Sequence, residues 1–317
     1  MRVSSLEQTG RPRGRLCFMT MLPTMGTVFG RYVKGILKEA TGLLKAAGIP
    51  SPRVDAEVLL GFVLGCDRLA LYREPLRKVA AEELVRYKEL LYRRADGEPV
   101  AYLTGEKEFM GLSFTVTQAV LVPRPETELL VETAASLLKA GPAAVVADVG
   151  TGCGAIAVSL AVLLPEAQVF AVDISEAALA VARENARRHR VEGRVTFLEG
   201  DLLQPLMEAG HSFDLVAANL PYVPREDMPD LSREVRHEPA LALDGGPGGL
   251  VLYRRLVHQA MQILKPGGCL VAEIDHRQAQ AALALVPVPA WASELRPDLA
   301  GRPRLVVARL SGSAGGR

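Results

Sequence analysis

The second half of the chain alternates between strand-like and helix-like patterns, and this alternation restricts the fold more than any other feature. Short apolar runs are followed by stretches whose apolar residues recur every three or four positions. The expected strands span residues 145–149, 169–174, 195–198, 213–218 and 269–274, with a terminal pair at 291–295 and 305–310. The expected helices span residues 155–164, 176–189 and 250–264. This order predicts an α/β domain with a mostly parallel sheet, helices on both faces and ligands at the carboxyl ends of the strands.

The region from residue 31 to residue 96 has a helical pattern instead. One apolar stripe contains Val33, Ile36, Leu37, Ala40, Leu43, Leu44 and Ala47. Gly48 is expected to end this helix, and Ser51 to cap the next one with Pro52 in its first turn. Two further stripes contain Val54, Val58, Leu59, Phe62 and Val63, and then Leu84, Tyr87, Leu90 and Leu91. We expect a small bundle of three or four helices, a type of domain that more often positions a partner than performs chemistry.

Between these regions, residues 97–125 have the character of a connector. Apolar residues such as Phe114 and Val116 lie among glycines and hydroxyl residues, which predicts a short β-hairpin that Pro123 and Pro125 bring to an end. The whole chain is therefore predicted to have five parts. They are a disordered extension (1–30), a helical domain (31–96), the connector (97–125), the α/β domain (126–311) and a tail (312–317).

Composition excludes several classes of protein. The 37 Lys and Arg residues nearly balance the 36 Asp and Glu residues, giving a net charge of +1, whereas proteins that hold a long polyanion usually have a clear basic excess. No apolar run is long enough for a membrane span. The 4 cysteines are too widely separated to suggest metal-ligand pairs or a disulfide framework. We therefore expect a cytoplasmic monomer with no metal, no stable nucleic acid partner and no secretory signal.

A glycine-rich segment, Asp148-Val149-Gly150-Thr151-Gly152-Cys153-Gly154, follows the first expected strand of the α/β domain and precedes a helix. Glycines allow a tight turn and let a ligand approach the main chain closely. Asp173 stands at the end of the next expected strand, where a carboxylate can accept both hydroxyl groups of a ribose. Together these features predict a site for a nucleoside-containing cofactor.

The loop alone leaves the cofactor open. Gly150, Gly152 and Ala155 also satisfy the dinucleotide fingerprint, although such loops commonly lie near the start of a chain. Asp148 favours a methyltransferase, because a carboxylate near a cationic sulfonium or ammonium group is electrostatically favourable. Cys153 is interpreted as a small packing residue with no nucleophilic role, and the five histidines as surface or packing residues.

The tetrapeptide Asn219-Leu220-Pro221-Tyr222 follows the fourth expected strand and carries the most specific chemistry. Its carbonyl groups and the Asn219 side-chain oxygen can accept both hydrogens of a planar NH2 group, on which Tyr222 can stack. An amide nitrogen is a poor nucleophile because its lone pair is delocalised. Donating both N–H bonds to fixed acceptors and aligning the nitrogen with a methyl group offset that weakness. We therefore expect Asn219, Pro221 and Tyr222 to be catalytic.

With these motifs in place, the sequence resembles the PrmC or HemK family, the protein-(glutamine-N5) methyltransferases of peptide chain release factors. The resemblance runs from about residue 35 to residue 310. It rests most specifically on two connector segments, Asp96 to Gly105 and Val122 to Glu128, together with Glu108-Phe109, Glu238-Pro239 and Tyr253-Arg254.

The resemblance implies a Rossmann-like class I methyltransferase sheet with an N-terminal helical bundle domain and a β-hairpin connector. It implies S-adenosyl-L-methionine as the cofactor, held by Gly150 to Gly154, Asp173, Leu202 and Asn219. It also implies that Asn219 to Tyr222 hold the glutamine of the Gly-Gly-Gln motif in class-one release factors, which the helical domain helps to recognise. We further expect Arg124 and Glu126 to brace the cofactor pocket.

Three positions depart from the family pattern: Leu220 replaces a proline, Gly248 an aspartate and Asp275 a glycine. We expect them to alter local loops without abolishing activity. Asn-Leu-Pro-Tyr is also familiar from ribosomal RNA adenine dimethylases, so an adenine-N6 methyltransferase acting on RNA or DNA is the main alternative. A non-catalytic module with a decayed cofactor site and a nicotinamide dehydrogenase are more distant alternatives.

Overall fold

The computed structural model describes residues 30–138 and 143–311, which form two compact units dividing between Leu91 and Tyr92. The disordered extension expected at the N-terminus and the expected tail lie outside the described residues, apart from Gly30. The five-part division of the chain stays a prediction.

The first unit is helical. It contains α1 (Val33–Ala46), α2 (Pro52–Leu64), α3 (Arg68–Arg73) and most of α4 (Ala81–Ala95). Four residues of the stripe predicted for α1 are buried, namely Val33, Ile36, Ala40 and Leu44, and this part of the prediction is confirmed. Ser51 occupies the N-cap position of α2 and Pro52 its first turn, but the Ser51 side chain makes no capping hydrogen bond.

The stripe predicted for α2 is partly wrong. Val54 and Phe62 are exposed, whereas Glu57 is buried. The Glu57 carboxylate can lie there because Arg53, Arg68 and Tyr72 all donate hydrogen bonds to it, which offsets the cost of burying a charge. Arg68 and Tyr72 come from α3, so periodicity within α2 could not reveal them.

The second unit begins with the end of α4 and continues through α5 (Val100–Thr104) into an antiparallel hairpin. The hairpin strands are β1 (Glu106–Phe109) and β2 (Leu112–Thr115). Met110 and Gly111 both have positive φ, 52° and 71°, as a two-residue type I′ turn requires. A hairpin in this region is confirmed, but its strands end at Thr115. Val116, Val120 and Val122 are buried outside them.

The remaining elements alternate as predicted. They are α6 (Glu128–Leu138), β3 (Val145–Val149), α7 (Ala155–Leu163), β4 (Gln168–Asp173), α8 (Glu176–Arg188), β5 (Val195–Glu199), α9 (Gln204–Glu208), β6 (Phe213–Ala218), α10 (Val251–Ile263), β7 (Leu264–Glu273), α11 (Ala279–Ala284), β8 (Trp291–Pro297) and β9 (Pro303–Leu310). Seven strands form one sheet in the order β5-β4-β3-β6-β7-β9-β8. The first five are parallel, and β9 pairs antiparallel with both β7 and β8. The predicted α/β architecture is confirmed.

Each face of this sheet has its own apolar core. Successive residues of β3 point to opposite faces, so Val146 packs with residues of α6 and α7 whereas Ala147 packs with residues of α10. The hairpin adds Phe109 and Phe114 to the first core. None of the described helices combines the length and apolar character that a membrane span requires.

Asn185 ties the hairpin to the glycine-rich loop. Its side chain is fully buried on α8; its Oδ1 accepts from the Thr115 N–H at 2.7 Å. Its Nδ2 donates to the Thr115 carbonyl at 3.0 Å and to the Cys153 carbonyl at 2.8 Å. One amide therefore satisfies three buried backbone groups from two separate segments.

Replacing Asn185 by alanine should lower the free energy of unfolding by about 3 kcal/mol, because it leaves those backbone groups without partners in a buried position. Urea denaturation measures this change. Arg187→Ala on the exposed side of α8 is the matched control and should stay within about 0.5 kcal/mol of the wild type. An Asn185→Ala protein as stable as the control would contradict the bridging role.

Candidate active site

The site lies where the direction of chain progression in the sheet reverses. From β3 the chain passes to β4 on one side, and β6 pairs with the other side of β3. In parallel sheets such a point opens a crevice at the carboxyl ends of the strands. The glycine-rich loop leaves β3 there and the Asn219–Tyr222 segment leaves β6 there, so the pairing of β3 with β6 brings the two predicted motifs together.

Close packing explains the need for glycine at two positions of the loop. Gly150 has φ 72°, and a Cβ there would lie 3.1 Å from the Leu220 side chain. Gly154 has φ 82°, and a Cβ there would lie 3.1 Å from Cβ of Ala182 on α8. A side chain at either position would strain the backbone and push neighbouring elements apart.

A cavity of about 210 Å³ lies between the two segments. It brings together most residues predicted to hold the cofactor: Gly150, Thr151, Gly152, Cys153, Asp173, Leu202 and Asn219. Leu220, Pro221 and Arg124 also line it, and much of the remaining wall is apolar. Asp148, Gly154, Tyr222 and Glu126 do not line it.

Asp173 faces the cavity from the end of β4. Its two carboxylate oxygens accept the backbone N–H groups of Gly152 and Ser175, at 2.8 and 2.9 Å. Burial raises its pKa and the backbone donors oppose that rise. Each carboxylate oxygen can accept a further hydrogen bond, so the geometry leaves Asp173 able to receive hydroxyl groups.

Asp148 is fully buried on β3 and outside the cavity lining. Its Oδ2 accepts from the Thr151 hydroxyl at 2.6 Å and from the Ala157 N–H at 3.1 Å, while Oδ1 has no hydrogen-bond partner among the described residues. Burial raises its pKa to about 7. Asp148 therefore shapes the loop from within, and the expected direct contact with a cationic group stays a prediction.

Cys153 is buried, and burial raises the pKa of its thiol to about 12. A thiol with such a pKa is not a nucleophile at neutral pH. This agrees with its interpretation as a packing residue.

Asn219 belongs to a hydrogen-bonded chain that the sequence did not reveal. Its Nδ2 donates to the Thr127 hydroxyl at 3.0 Å, and that hydroxyl donates to Glu273 Oε2 at 2.7 Å. Thr127 and Glu273 are each 4% exposed. Thr127 lies inside one of the connector segments that carry the family resemblance, and Glu273 ends β7. Both residues could be picked out in the sequence, but the contact between them could not.

The tetrapeptide predicts that the backbone carbonyls of Leu220 and Pro221 are free acceptors. No protein donor among the described residues bonds to either oxygen, and both residues line the cavity. Pro221 has no N–H group. Asn219, Leu220 and Pro221 therefore share one wall of the cavity, and the contact of their oxygens with a substrate amide stays a prediction.

The expectation that Tyr222 stacks over a bound amide is not supported by this structure. Tyr222 lines a neighbouring pocket of about 10 Å³ instead, and its hydroxyl donates to Glu273 Oε1 at 3.5 Å. Gln278 donates to the Tyr222 carbonyl at 2.9 Å and fixes its backbone. Burial raises the pKa of Tyr222. Tyr222 therefore lies outside the cavity lining, and its catalytic role stays a prediction.

Arg124 and Glu126 differ in their positions, and their role in bracing the cofactor pocket stays a prediction. Arg124 lines the cavity, but its partner is the buried Glu238, whose other oxygen accepts from the Val122 N–H at 3.2 Å. Burial raises the pKa of Glu238, and Arg124 opposes that rise. Glu126 is exposed and does not line the cavity.

Each of the three residues that depart from the family pattern makes a defined contact. Leu220 packs against Gly150. Gly248 has φ 67°, a left-handed conformation, and its carbonyl accepts from Gln278. Asp275 accepts from the Arg277 N–H at 2.8 Å and forms an ion pair with that side chain.

The histidines lie away from this cavity, none of them on its lining. His189 packs against Phe114, and His211 against Phe170 and Phe213. Across residues 30–138 and 143–311, no cluster of histidine, cysteine and acidic side chains could hold a metal ion.

Comparison with known proteins shows that the chain is a methyltransferase. Residues 141–295 match a methyltransferase domain, and residues 35–105 match the PrmC N-terminal domain. Three relatives carry the name release factor glutamine methyltransferase. The protein of Moorella thermoacetica is 47% identical over 274 residues, covering 86% of this chain and 96% of the relative. That of Deinococcus radiodurans is 42% identical, covering 88% and 99%. That of Koribacter versatilis is 44% identical, covering 84% and 94%. This chain belongs to the release factor glutamine methyltransferase family.

The raised pKa of Asp148 predicts a pH dependence of stability. In the folded protein Asp148 gains its proton near pH 7, and in the unfolded chain near pH 4. Between these values the folded state binds more protons, so rising pH weakens folding by up to about 1.4 kcal/mol per pH unit. Asp148→Asn removes this titration.

Urea denaturation at about pH 5 and about pH 8 tests this prediction. The free energy of unfolding should fall less between the two conditions in Asp148→Asn than in the wild type. Asp230→Asn changes an exposed aspartate and should behave as the wild type does. Identical pH dependence in Asp148→Asn and the wild type would show that Asp148 is not buried as a proton-binding group.

Proposed function

We propose that the protein transfers a methyl group from S-adenosylmethionine to the side-chain amide nitrogen of the glutamine in the Gly-Gly-Gln motif of class-one peptide chain release factors. The observation that carries this proposal is the meeting of two features in one cavity. The glycine-rich loop with Asp173 lies on one side, and Asn219, Leu220 and Pro221 lie on the other.

The residues present fit the cofactor. The Gly150–Gly152 backbone leaves room for a ligand, Asp173 keeps acceptor capacity for hydroxyl groups, and apolar side chains such as Leu202 can lie against an adenine ring. The buried Oδ1 of Asp148, which has no hydrogen-bond partner in the part of the chain that the structure describes, adds a local preference for positive charge when the carboxyl group is ionised. When bound, S-adenosylmethionine supplies an electrophilic methyl group on a sulfonium.

The chain's own contribution is orientation of the substrate amide. Asn219 Oδ1 and a backbone carbonyl can each accept one hydrogen of the glutamine NH2 group, which raises electron density on its nitrogen. Such positioning can recover roughly 7–11 kcal/mol of the barrier when reactants are well oriented. Leu220 serves as well as proline in this role, because its contribution is the backbone carbonyl.

The proposal also covers partners and location. The net charge of +1 supports a protein substrate over a stable nucleic acid partner. The enzyme is proposed to act as a monomer in the cytoplasm, where release factors end translation.

Mass spectrometry of the substrate tests the function. A purified class-one release factor, incubated with the protein and deuterated-methyl S-adenosylmethionine, should gain one labelled methyl group on the Gly-Gly-Gln glutamine. RNA and DNA substrates run in parallel test the main alternative. A label found on adenine, with none on the release factor, would overturn the proposal.

Asn219→Ala should reduce the rate of methyl transfer about 100-fold or more, because it removes a preorganised polar contact. Cofactor affinity measured by calorimetry should largely survive, since the glycine-rich loop and Asp173 are unchanged. Gln204→Ala, which removes an exposed amide on α9, is the control and should keep the wild-type rate. Full activity in Asn219→Ala would refute the role of the tetrapeptide.

A further inference from the structure

The hydrogen-bonded chain from Asn219 through Thr127 to Glu273 has a defined direction. A hydroxyl group has one hydrogen, and an ionised carboxylate can only accept. The 2.7 Å contact between Thr127 and Glu273 therefore uses the Thr127 hydrogen. The Thr127 oxygen is then left as an acceptor, and the Asn219 atom 3.0 Å from it must be the donor Nδ2.

This direction decides which atom Asn219 presents to the cavity. With Nδ2 held by Thr127, Oδ1 is the other end of the same planar group, and Asn219 lines the cavity. The opposite orientation would present an NH2 group. An NH2 group cannot accept a hydrogen from the NH2 group of a substrate amide, so the two would repel.

Resting on the proposed function, we propose that Thr127 and Glu273 are positioning residues for methyl transfer. They lock the Asn219 carboxamide with its oxygen toward the substrate nitrogen. Thr127 lines the cavity and Glu273 does not, and in this proposal each acts on the substrate through its neighbour in the hydrogen-bonded chain.

Burial restricts the alternatives to these hydrogen bonds. Thr127 and Glu273 are almost fully buried, so water cannot replace a lost partner freely. Thr127 lies in the short turn before α6, which contacts β7, and Glu273 lies at the end of β7, a strand of the central sheet. The hydrogen bonds of Thr127 therefore link the connector segment to Glu273 of the central sheet and to Asn219 of the tetrapeptide.

Several charged or titratable groups act on Glu273. Tyr222 donates to its second oxygen, and Arg304 of β9 stabilises its ionised form, whereas Glu126 opposes ionisation. Burial outweighs these effects and raises its pKa to about 7. A protonated Glu273 can donate to Thr127, which then donates to Asn219 and favours the reversed amide. Lowering the pH should therefore favour the orientation in which Asn219 presents its NH2 group to the cavity.

The first test is a matched set of substitutions at Thr127. Thr127→Val keeps the shape but removes the hydroxyl group, and kcat for release factor methylation should fall roughly 10- to 100-fold. Thr127→Ser keeps the hydroxyl group and should restore kcat to within about threefold. The KM for S-adenosylmethionine should change little in either variant. Thr133→Val, a buried threonine on α6, controls for loss of a buried hydroxyl group alone.

The second test is the pH profile of kcat. In the wild type kcat should fall as the pH drops through about 7, because protonation of Glu273 reverses the chain. In Glu273→Gln the side-chain oxygen can still accept from Thr127 and cannot be protonated in this range, so the acid limb should disappear. Both profiles are measured in the Asp148→Asn background, which removes the other buried carboxyl group with a pKa of about 7, so that a remaining acid limb cannot come from Asp148.

The outcomes separate the two proposals. A wild-type protein that leaves the release factor glutamine unmethylated overturns the proposed function and this inference with it. A wild type that methylates glutamine while Thr127→Val is equally fast overturns the inference alone. An acid limb that persists in Glu273→Gln also overturns it, and this measurement needs no Thr127 variant to fold.

Discussion

The parallel pairing of β3 with β6 is the constraint on which the site depends. This pairing places the ends of two strands side by side at the point where the sheet reverses its order. The loop after β3 supplies a backbone that a nucleoside can approach, and the segment after β6 supplies acceptor oxygens. Neither segment forms a site by itself. The 3.1 Å separation between Leu220 and the position of a Cβ at Gly150 shows how closely the two must pack.

Two buried carboxyl groups support this arrangement from opposite sides. Asp148 bonds to Thr151 and Ala157 and so shapes the glycine-rich loop, while Glu273 sets the hydrogen-bond direction that reaches Asn219. Burial raises the pKa of both to about 7, so each charge is held at a cost in free energy. Such costs are typical of functional sites, where polar groups are placed for chemistry and not for stability.

Local pattern was sufficient to predict the sheet. Strand and helix periodicities are properties of neighbouring residues, and the observed bounds of β3 and β6 equal the predicted ones. Local pattern also singled out the glycine-rich loop, Asp173 and Asn219, which lie at or just after the end of a recognisable strand and line one cavity. Contacts between residues far apart in the sequence could not be predicted from local pattern. Arg124 pairs with Glu238, 114 positions away, and Thr127 bonds to Glu273, 146 positions away. The position of Tyr222 outside the cavity lining was not predictable for a similar reason, since tertiary packing decides it.

The most direct measurement is a crystal structure of the protein with S-adenosylhomocysteine and a class-one release factor domain that carries the Gly-Gly-Gln loop. The account predicts that the glutamine amide nitrogen lies about 2.7–3.2 Å from Asn219 Oδ1 and from a backbone carbonyl of Leu220 or Pro221, and faces the cofactor sulfur. A glutamine bound with its nitrogen turned away from these oxygens, or an Asn219 presenting Nδ2 to it, would contradict the account.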